Sequence, residues 1–145
     1  MSTSQPVQFF YESPVTLRDR TRLKKFIVRL FRAESRALES VNYIFVSDER
    51  LLEINRSYLQ HDYYTDIITF DLAPPAMPVV GEIYISTERV RENASAHNTS
   101  LTEELHRVIF HGALHLCGYK DKSKGDKIRM TGKEDEWLRR YFKNR

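Results

Sequence analysis

Residues 108–117 read VIFHGALHLC, a segment from which much of the architecture can be worked out. It is apolar on almost every side, which predicts a helix buried in the protein rather than one lying on its surface. Ser100-Leu-Thr-Glu103 precedes it with the pattern of a capping box, and Gly118 follows it as a natural helix stop. We therefore predict a central helix that begins at Ser100 and runs to about Cys117.

Two histidines of this helix have the spacing of metal ligands. His111 and His115 are four residues apart, and in a helix with about 3.6 residues per turn such positions share one face. Gly118 lets the chain turn back, so that Asp121 brings a carboxylate to the same point. Three protein ligands with an open fourth position are typical of catalytic zinc, although another first-row divalent metal also suits this set. The alternative is two core histidines paired with backbone or acidic groups.

The spacing also matches HExxHxxGxxH, the signature of metzincin proteases, with two departures. Gly112 stands where that signature has the glutamate that activates water, and Asp121 replaces its third histidine. Loss of the glutamate argues against peptide hydrolysis, whereas a metal can still polarise a phosphoryl oxygen. We predict a metal-dependent hydrolase acting on a phosphodiester, with its general base unassigned.

Positive residues are clustered, although the net charge is only +3. One cluster occupies residues 18–32 and another occupies residues 120–133, next to Asp121. An RNA partner would suit both clusters. The alternative, that they are solvated helix faces, stays open.

Composition places the chain among ordinary globular proteins, with 41% hydrophobic and 30% charged residues in a length of 145 that suits one domain. The one cysteine, Cys117, excludes an internal disulfide and suits a reducing compartment. No apolar run approaches the ~20 residues of a membrane span, and the N-terminus lacks the apolar stretch of a signal peptide. We expect a soluble, cytoplasmic protein without a membrane partner.

Hydrophobic periodicity predicts the remaining elements. The predicted strands cover residues 7–11, 41–46, 65–70 and 79–85. The predicted helices cover residues 17–33, 48–58 with Ser47 as N-cap, 88–97, and 126–142 despite Gly132. The third and fourth strands can form a hairpin, although their loop is long. The expected fold is α+β: a single compact domain in which a small mixed sheet of about four strands packs with helices, with the metal site on the central helix.

Three blocks of sequence, in order, resemble the YbeY family, the bacterial rRNA maturation factors regarded as single-strand-specific metallo-endoribonucleases. Residues 111–121 read HGALHLCGYKD, where the family motif is roughly HGxLHLxGYDH. A second block consists of residues 54–59, INRSYL, and residues 65–70, TDIITF, which are similar to the family's LNxxYR and TDVLSF. The third block, residues 81–83, reads GEI and is similar to the family's GDI. The resemblance covers most of the chain from about Val41 onward.

By position, the resemblance implies that His111, His115 and Asp121 bind one zinc ion. It further implies that residues 1–145 form a single YbeY-like metal-dependent hydrolase domain. Its implied task is maturation of the 3′ end of 16S rRNA and ribosome quality control. The implied partners are single-stranded RNA and the small ribosomal subunit, while the oligomeric state stays unknown.

The chain departs from the family pattern at three positions. Asp121 replaces the usual third histidine, and Lys120 replaces an aspartate. Leu59 stands where the family generally has an arginine linked to RNA cleavage. Arg56, about one helical turn away, and Asp66 are then the candidate catalytic residues. Leu59 also motivates an alternative function, a ribosome-binding assembly factor with a mainly structural metal and little nuclease activity.

Several other residues allow two interpretations. Asp66 and Thr69 could line the cleft, or Asp66 could instead cap a turn before the strand. Glu82 faces either the site or solvent. Tyr63 and Tyr64 either stack on bases or, as the commoner arrangement, divide between core and surface. Histidines without metal spacing and the sulfur-containing residues near the site are predicted to be ordinary core or surface residues: His61, His97, His106, Cys117 and Met130.

Overall fold

Four strands form one mixed sheet in the computed structural model, which describes residues 5–143. The chain order is β1 (Val7–Tyr11), α1 (Arg20–Ala33), β2 (Leu38–Val46), α2 (Asp48–Leu59), β3 (Ile67–Asp71), β4 (Val79–Ser86), α3 (Thr87–Ala96), α4 (Leu101–Leu116) and α5 (Lys124–Lys143). The strand order across the sheet is β1-β2-β4-β3. β1, β2 and β4 are parallel, and β3 pairs antiparallel with β4 as a hairpin. The predicted α+β fold with a four-stranded mixed sheet is confirmed.

Local signals set most helix ends. The hydroxyl of Ser47 accepts a hydrogen bond from the N–H of Arg50 at 3.1 Å, as expected of an N-cap. At the start of α4 the hydroxyl of Ser100 accepts in the same way from the N–H of Glu103 at 3.0 Å. Gly118 follows α4 with a φ of 106°, the left-handed conformation that glycine adopts without a steric penalty. The helix starts predicted at Ser47 and Ser100 and the helix stop predicted at Gly118 are therefore confirmed.

Other element ends differ from the predicted ranges. α1 begins at Arg20 instead of residue 17, because Asp19 has a left-handed φ of 52° that interrupts a right-handed helix. β3 begins at Ile67, two residues later than predicted. α5 is 20 residues long and passes through Gly132 without a break. Even so, no helix within residues 5–143 combines the length and the apolar character needed to cross a bilayer.

The sheet carries helices on both faces. α1, α4 and α5 contribute to the larger core, with Leu23, Phe110 and Trp137 fully buried against one face of the sheet. α2 packs its Leu51 and Ile54 on the opposite face, over a smaller cluster. Each strand consequently presents alternate residues to the two sides, and this alternation decides which polar residues lie on the α4 side.

The central helix α4 lies unusually close to the sheet at Gly112. A Cβ atom built on this glycine would lie 2.9 Å from Cδ1 of Ile83 and 3.1 Å from Cδ1 of Ile67. Both distances are shorter than an ordinary carbon–carbon contact of about 3.5–4.0 Å. Gly112 therefore faces the sheet, and its missing side chain lets α4 approach β3 and β4.

Candidate metal centre

Three predicted ligands converge at the C-terminal end of α4. Nε2 of His111 lies 3.2 Å from Oδ2 of Asp121, and Nε2 of His115 lies 3.4 Å from the same oxygen. One ligand atom from each residue falls within 4.8 Å of the others. Atoms bound to one tetrahedral zinc ion at about 2.0–2.2 Å lie roughly 3.4 Å apart. The three side chains can therefore hold one divalent ion with little movement.

The turn after α4 brings Asp121 back to the histidines. The N–H of Gly118 donates to the carbonyl of His115 at 3.0 Å, and the N–H of Tyr119 donates to the carbonyl of Leu114 at 3.1 Å. These bonds satisfy carbonyl groups that a helix leaves unpaired at its end. The reversal places Asp121 beside the last turn of the helix.

A buried carboxylate at the end of α1 fixes this turn from outside. Glu34 accepts hydrogen bonds from the hydroxyl of Tyr119 at 2.7 Å, from Nε1 of Trp137 at 3.0 Å and from Nζ of Lys133 at 3.1 Å. Burial works against its charge, but these three donors hold the pKa of Glu34 below its ordinary value. Glu34 thereby ties α1 and α5 to a residue only two positions before Asp121.

Glu134 of α5 orients the first histidine. Its Oε2 lies 2.6 Å from Nδ1 of His111, and its Oε1 accepts from Arg107 at 2.9 Å. Burial alone would lower the pKa of His111, but the hydrogen bond and charge of Glu134, together with Asp121, raise it. A carboxylate on Nδ1 keeps the proton on that nitrogen and turns the lone pair of Nε2 toward Asp121, where a metal ion could bind.

Glu134 was not among the residues predicted from the sequence, although the sequence contains a signal for it. Glu134 lies on the stripe of α5 that packs into the core with Met130, Trp137 and Tyr141. Only 7% of this acidic residue is exposed. Because an unpaired buried carboxylate is very costly, an acid in an apolar stripe indicates a buried partner. The sequence does not say which group that partner is.

We expect Glu134→Gln to bind zinc about 10- to 100-fold more weakly, because it removes the charge that makes Nε2 of His111 a strong ligand. Competition with a chromophoric chelator measures the affinity. Asp135→Asn is the matched control, since Asp135 accepts from the same Arg107 at 2.7 Å but does not contact His111. A folded Glu134→Gln protein with the parent affinity would contradict this role.

Asp66 lies close to the centre but outside the three-ligand group. Its carboxylate is partly buried, and Nδ2 of Asn93 lies 3.5 Å from its Oδ2. Burial raises the pKa of Asp66, while the nearby His111 opposes the increase. Thr69 follows in β3 on the same side as Ile67, which packs into the larger core. Thr69 is therefore on the α4 side of the sheet, whereas Asp66 precedes the strand and is placed by its neighbours Asn93 and His111.

Other predicted site residues lie elsewhere. Arg56 is exposed and paired with Oδ1 of Asp62 at 2.5 Å. Leu59 is the last residue of α2 and is 40% exposed. Glu82 accepts from the hydroxyl of Tyr84, which packs with the smaller cluster under α2. Strand alternation thus directs Glu82 away from α4.

The expected division of Tyr63 and Tyr64 between core and surface is wrong. Both are exposed, because they lie in the loop between α2 and β3, where strand alternation does not apply. His61 lies beside Tyr63 with its ring stacked at a centroid distance of 5.1 Å. These rings form an exposed aromatic surface.

The ordinary roles predicted for the remaining residues are confirmed. His97 is exposed, and Nδ1 of the buried His106 lies 2.7 Å from the carbonyl oxygen of Thr102. Met130 is buried in the larger core. Cys117 packs against that core, and burial raises the pKa of its thiol to about 12. A thiol with so high a pKa is a poor metal ligand, because the thiolate is the binding form.

Known proteins match this chain over nearly its whole length. The profile of the family described as Endoribonuclease YbeY matches residues 12–142. The relative of that name from Cytophaga hutchinsonii is 44% identical and covers 92% of this chain and 94% of its own. The one from Flavobacterium psychrophilum is also 44% identical, covering 93% and 96%. The solution structure of a Thermotoga maritima protein matches with a TM-score of 0.60 and 27% identity, over 92% of this chain and 87% of that one.

Proposed function

Because this chain belongs to the YbeY endoribonuclease family, we propose that it is a zinc-dependent endoribonuclease that cleaves single-stranded RNA. The observation that carries the proposal is the convergence of two imidazoles and one carboxylate at a partly open point. The side chains of His115 and Asp121 are each 34% exposed. A site that is accessible and has only three protein ligands suits catalysis better than a purely structural role.

The donor set fits zinc. Two imidazole nitrogens and one carboxylate oxygen are ligands that zinc accepts in tetrahedral sites, and other first-row divalent metals accept them as well. A divalent ion held by His111, His115 and Asp121 would supply Lewis acidity, which would polarise a phosphoryl oxygen and lower the pKa of a water molecule. Glu134 holds the proton on Nδ1 of His111, which leaves Nε2 free to bind.

Asp66 is our candidate for the general base. Its carboxylate lies within electrostatic reach of His111 without contacting the ligand atoms, and burial raises its pKa toward the range useful for proton transfer. In this role Asp66 accepts a proton from the attacking water. Arg56 is a weaker candidate, because its guanidinium group is paired with Asp62.

The exposed lysines next to Asp121 suit an anionic substrate. Lys120 and Lys122 flank this ligand, and Lys124 and Lys127 continue the positive charge into the first turns of α5. Positive side chains in this position attract the phosphates of a bound strand and raise the rate of encounter.

We further propose that the enzyme, as one domain of residues 1–145, acts in the cytoplasm on the 3′ end of 16S rRNA in ribosome maturation and quality control. Membership of the family supports this proposal. The competing function is a ribosome-binding assembly factor with a structural metal, and Leu59 in place of an arginine favours it. The exposure of His115 and Asp121 weighs against that alternative, since structural zinc is usually enclosed by four ligands.

Cleavage assays with and without the metal test the proposal. The zinc-loaded protein is incubated with a single-stranded RNA, with a duplex of the same sequence, and with small-subunit particles whose 16S rRNA has an unprocessed 3′ end. We expect cleavage of the single strand and of the particles, loss of cleavage with a chelator, and recovery on adding zinc.

Two outcomes would contradict it. Cleavage that survives complete chelation would indicate a contaminating nuclease. Binding to the particles without cleavage, combined with unfolding on chelation seen by circular dichroism, would favour the assembly factor with a structural metal.

A further inference from the structure

α1 carries an unusual concentration of positive charge. Its 14 residues, RTRLKKFIVRLFRA, contain six arginines and lysines and no acid. Four of the cations follow one another at intervals of three, four and three residues, so they lie along one face of the helix. We call these four residues the α1 stripe: Arg22, Lys25, Arg29 and Arg32.

The fold does not neutralise the stripe. Within residues 5–143 none of its four members forms an ion pair with a carboxylate, whereas cations on other elements do, as Arg89 does with Asp48 at 2.7 Å. Like charges three or four residues apart destabilise a helix. The α1 stripe is therefore a feature that folding alone does not favour.

Packing holds one end of the stripe in place. Arg22 donates from Nη2 to the carbonyl of Tyr141, and its guanidinium carbon lies 4.0 Å from the centre of the Tyr141 ring. Its Nη1 is buried and has no hydrogen-bond partner in the described part of the chain. Arg22 therefore anchors this end of the stripe against α5, while Lys25, Arg29 and Arg32 are exposed.

A groove between α1 and α5 adjoins this end. It has a volume of about 700 Å³, and its charged lining residues are Arg20, Arg22, Lys25, Arg29, Arg140 and a single acid, Asp19. Positive groups therefore predominate along its walls. Low-dielectric walls with charges of one sign concentrate the field and attract ligands of the opposite sign.

The other end of the stripe is close in sequence to the residue that holds the turn after α4. Arg32 is two residues from Glu34, which binds the hydroxyl of Tyr119 in the turn that carries Asp121. From Arg22 to Arg32 the helix rises by about 15 Å.

A phosphate backbone fits this surface better than a membrane does. Arginine predominates in the stripe, and its planar guanidinium group matches phosphate oxygens in pairs. A membrane-surface helix would need an exposed apolar face to insert among lipids. The apolar face of α1, including Leu23, Ile27 and Leu30, is instead fully buried in the core.

We propose that the α1 stripe and the adjoining groove form an RNA-docking surface, which holds the backbone of the substrate outside the segment that is cleaved. The choice of RNA as the partner rests on the proposed function. Binding there depends on phosphates and salt and not on base sequence, and it does not require the metal.

Binding measured without cleavage tests this surface. In the full-length Asp121→Ala protein, we compare Lys25→Gln/Arg29→Gln with Arg91→Gln/Arg139→Gln, using the fluorescence anisotropy of a labelled single-stranded RNA over a range of salt concentrations. Both pairs remove two charges from exposed helix positions, and neither control residue forms an ion pair within residues 5–143. Each variant is first checked for the parent's circular dichroism spectrum.

We expect the stripe pair to bind RNA on the order of tenfold more weakly. Its slope of log K against log salt should be shallower by about 1.4, or roughly 0.7 for each phosphate that the variant no longer neutralises. The control pair should keep the parent slope. Equal losses in both pairs, an unchanged stripe pair, or binding to anionic lipid vesicles or an acidic protein in preference to RNA would overturn the proposal.

The two proposals fail separately. The zinc-loaded protein could fail to cleave RNA while the stripe pair still lowers RNA affinity. That result would support the docking surface and contradict the nuclease. If the stripe pair binds and cleaves RNA like the parent, the result contradicts the docking surface and supports the nuclease.

Discussion

Asp121→Ala is expected to bind zinc more than about 100-fold more weakly than the parent, because loss of a direct ligand exceeds the 10- to 100-fold cost of losing an outer partner. Oδ2 of Asp121 is the atom within 3.2–3.4 Å of both imidazole nitrogens. Without it two neutral histidines remain, and the negative charge that balances the ion is gone. Chelator competition gives the affinity, and RNA cleavage should fall with it.

Two variants sharpen this expectation. Asp121→His restores a third ligand, and histidine is the usual residue at this position of the family motif. This variant should therefore recover most of the zinc affinity. Asp126→Ala removes an acid that is close in sequence but outside the ligand group, so it should leave the zinc affinity unchanged. Parent-like zinc affinity in Asp121→Ala would show that the ion is held by other groups.

Gly112→Glu is expected to unfold most of the protein, with a loss of stability on the order of 4 kcal/mol or more. A side chain at this position meets Ile83 and Ile67 at once, and the added carboxylate would be buried without a partner. Overpacking and burial of a charge act together here. Chemical denaturation followed by circular dichroism measures the loss.

Gly132→Glu is the matched control for this substitution. Gly132 is exposed on α5, and nothing lies within 4 Å of a Cβ built on it. Glutamate favours a helix over glycine by up to about 1 kcal/mol, so this variant should be as stable as the parent or more stable. Equal stability of the two glutamate variants would disprove the close contact at Gly112.

The same contact explains why the protease glutamate is missing from the motif. Gly112 faces the sheet, whereas His111 and His115 face Asp121. A glutamate at position 112 would have to enter the core. Because α4 lies so close to β3 and β4, the helix has no room there for the glutamate that acts as base in the proteases. The departure from the protease signature is thus a requirement of packing as well as a sign of different chemistry.

Features that depend on near neighbours along the chain could be predicted from the amino-acid sequence alone. The four-residue spacing of His111 and His115, the stop at Gly118 and the return to Asp121 all lie within 11 residues. Helical geometry and the conformational freedom of glycine are local properties. For that reason the grouping of these three side chains and most of the elements could be predicted.

Contacts between polar groups that are far apart in sequence depend instead on how the helices and strands pack. Glu134 is 23 residues from His111, and Glu34 is 85 residues from Tyr119, yet each pair is joined by a hydrogen bond. Such partners depend on the angles at which helices pack and on the face that each strand turns to the core. Many packings satisfy the same local pattern, so only the assembled fold selects the carboxylate that orients the first histidine.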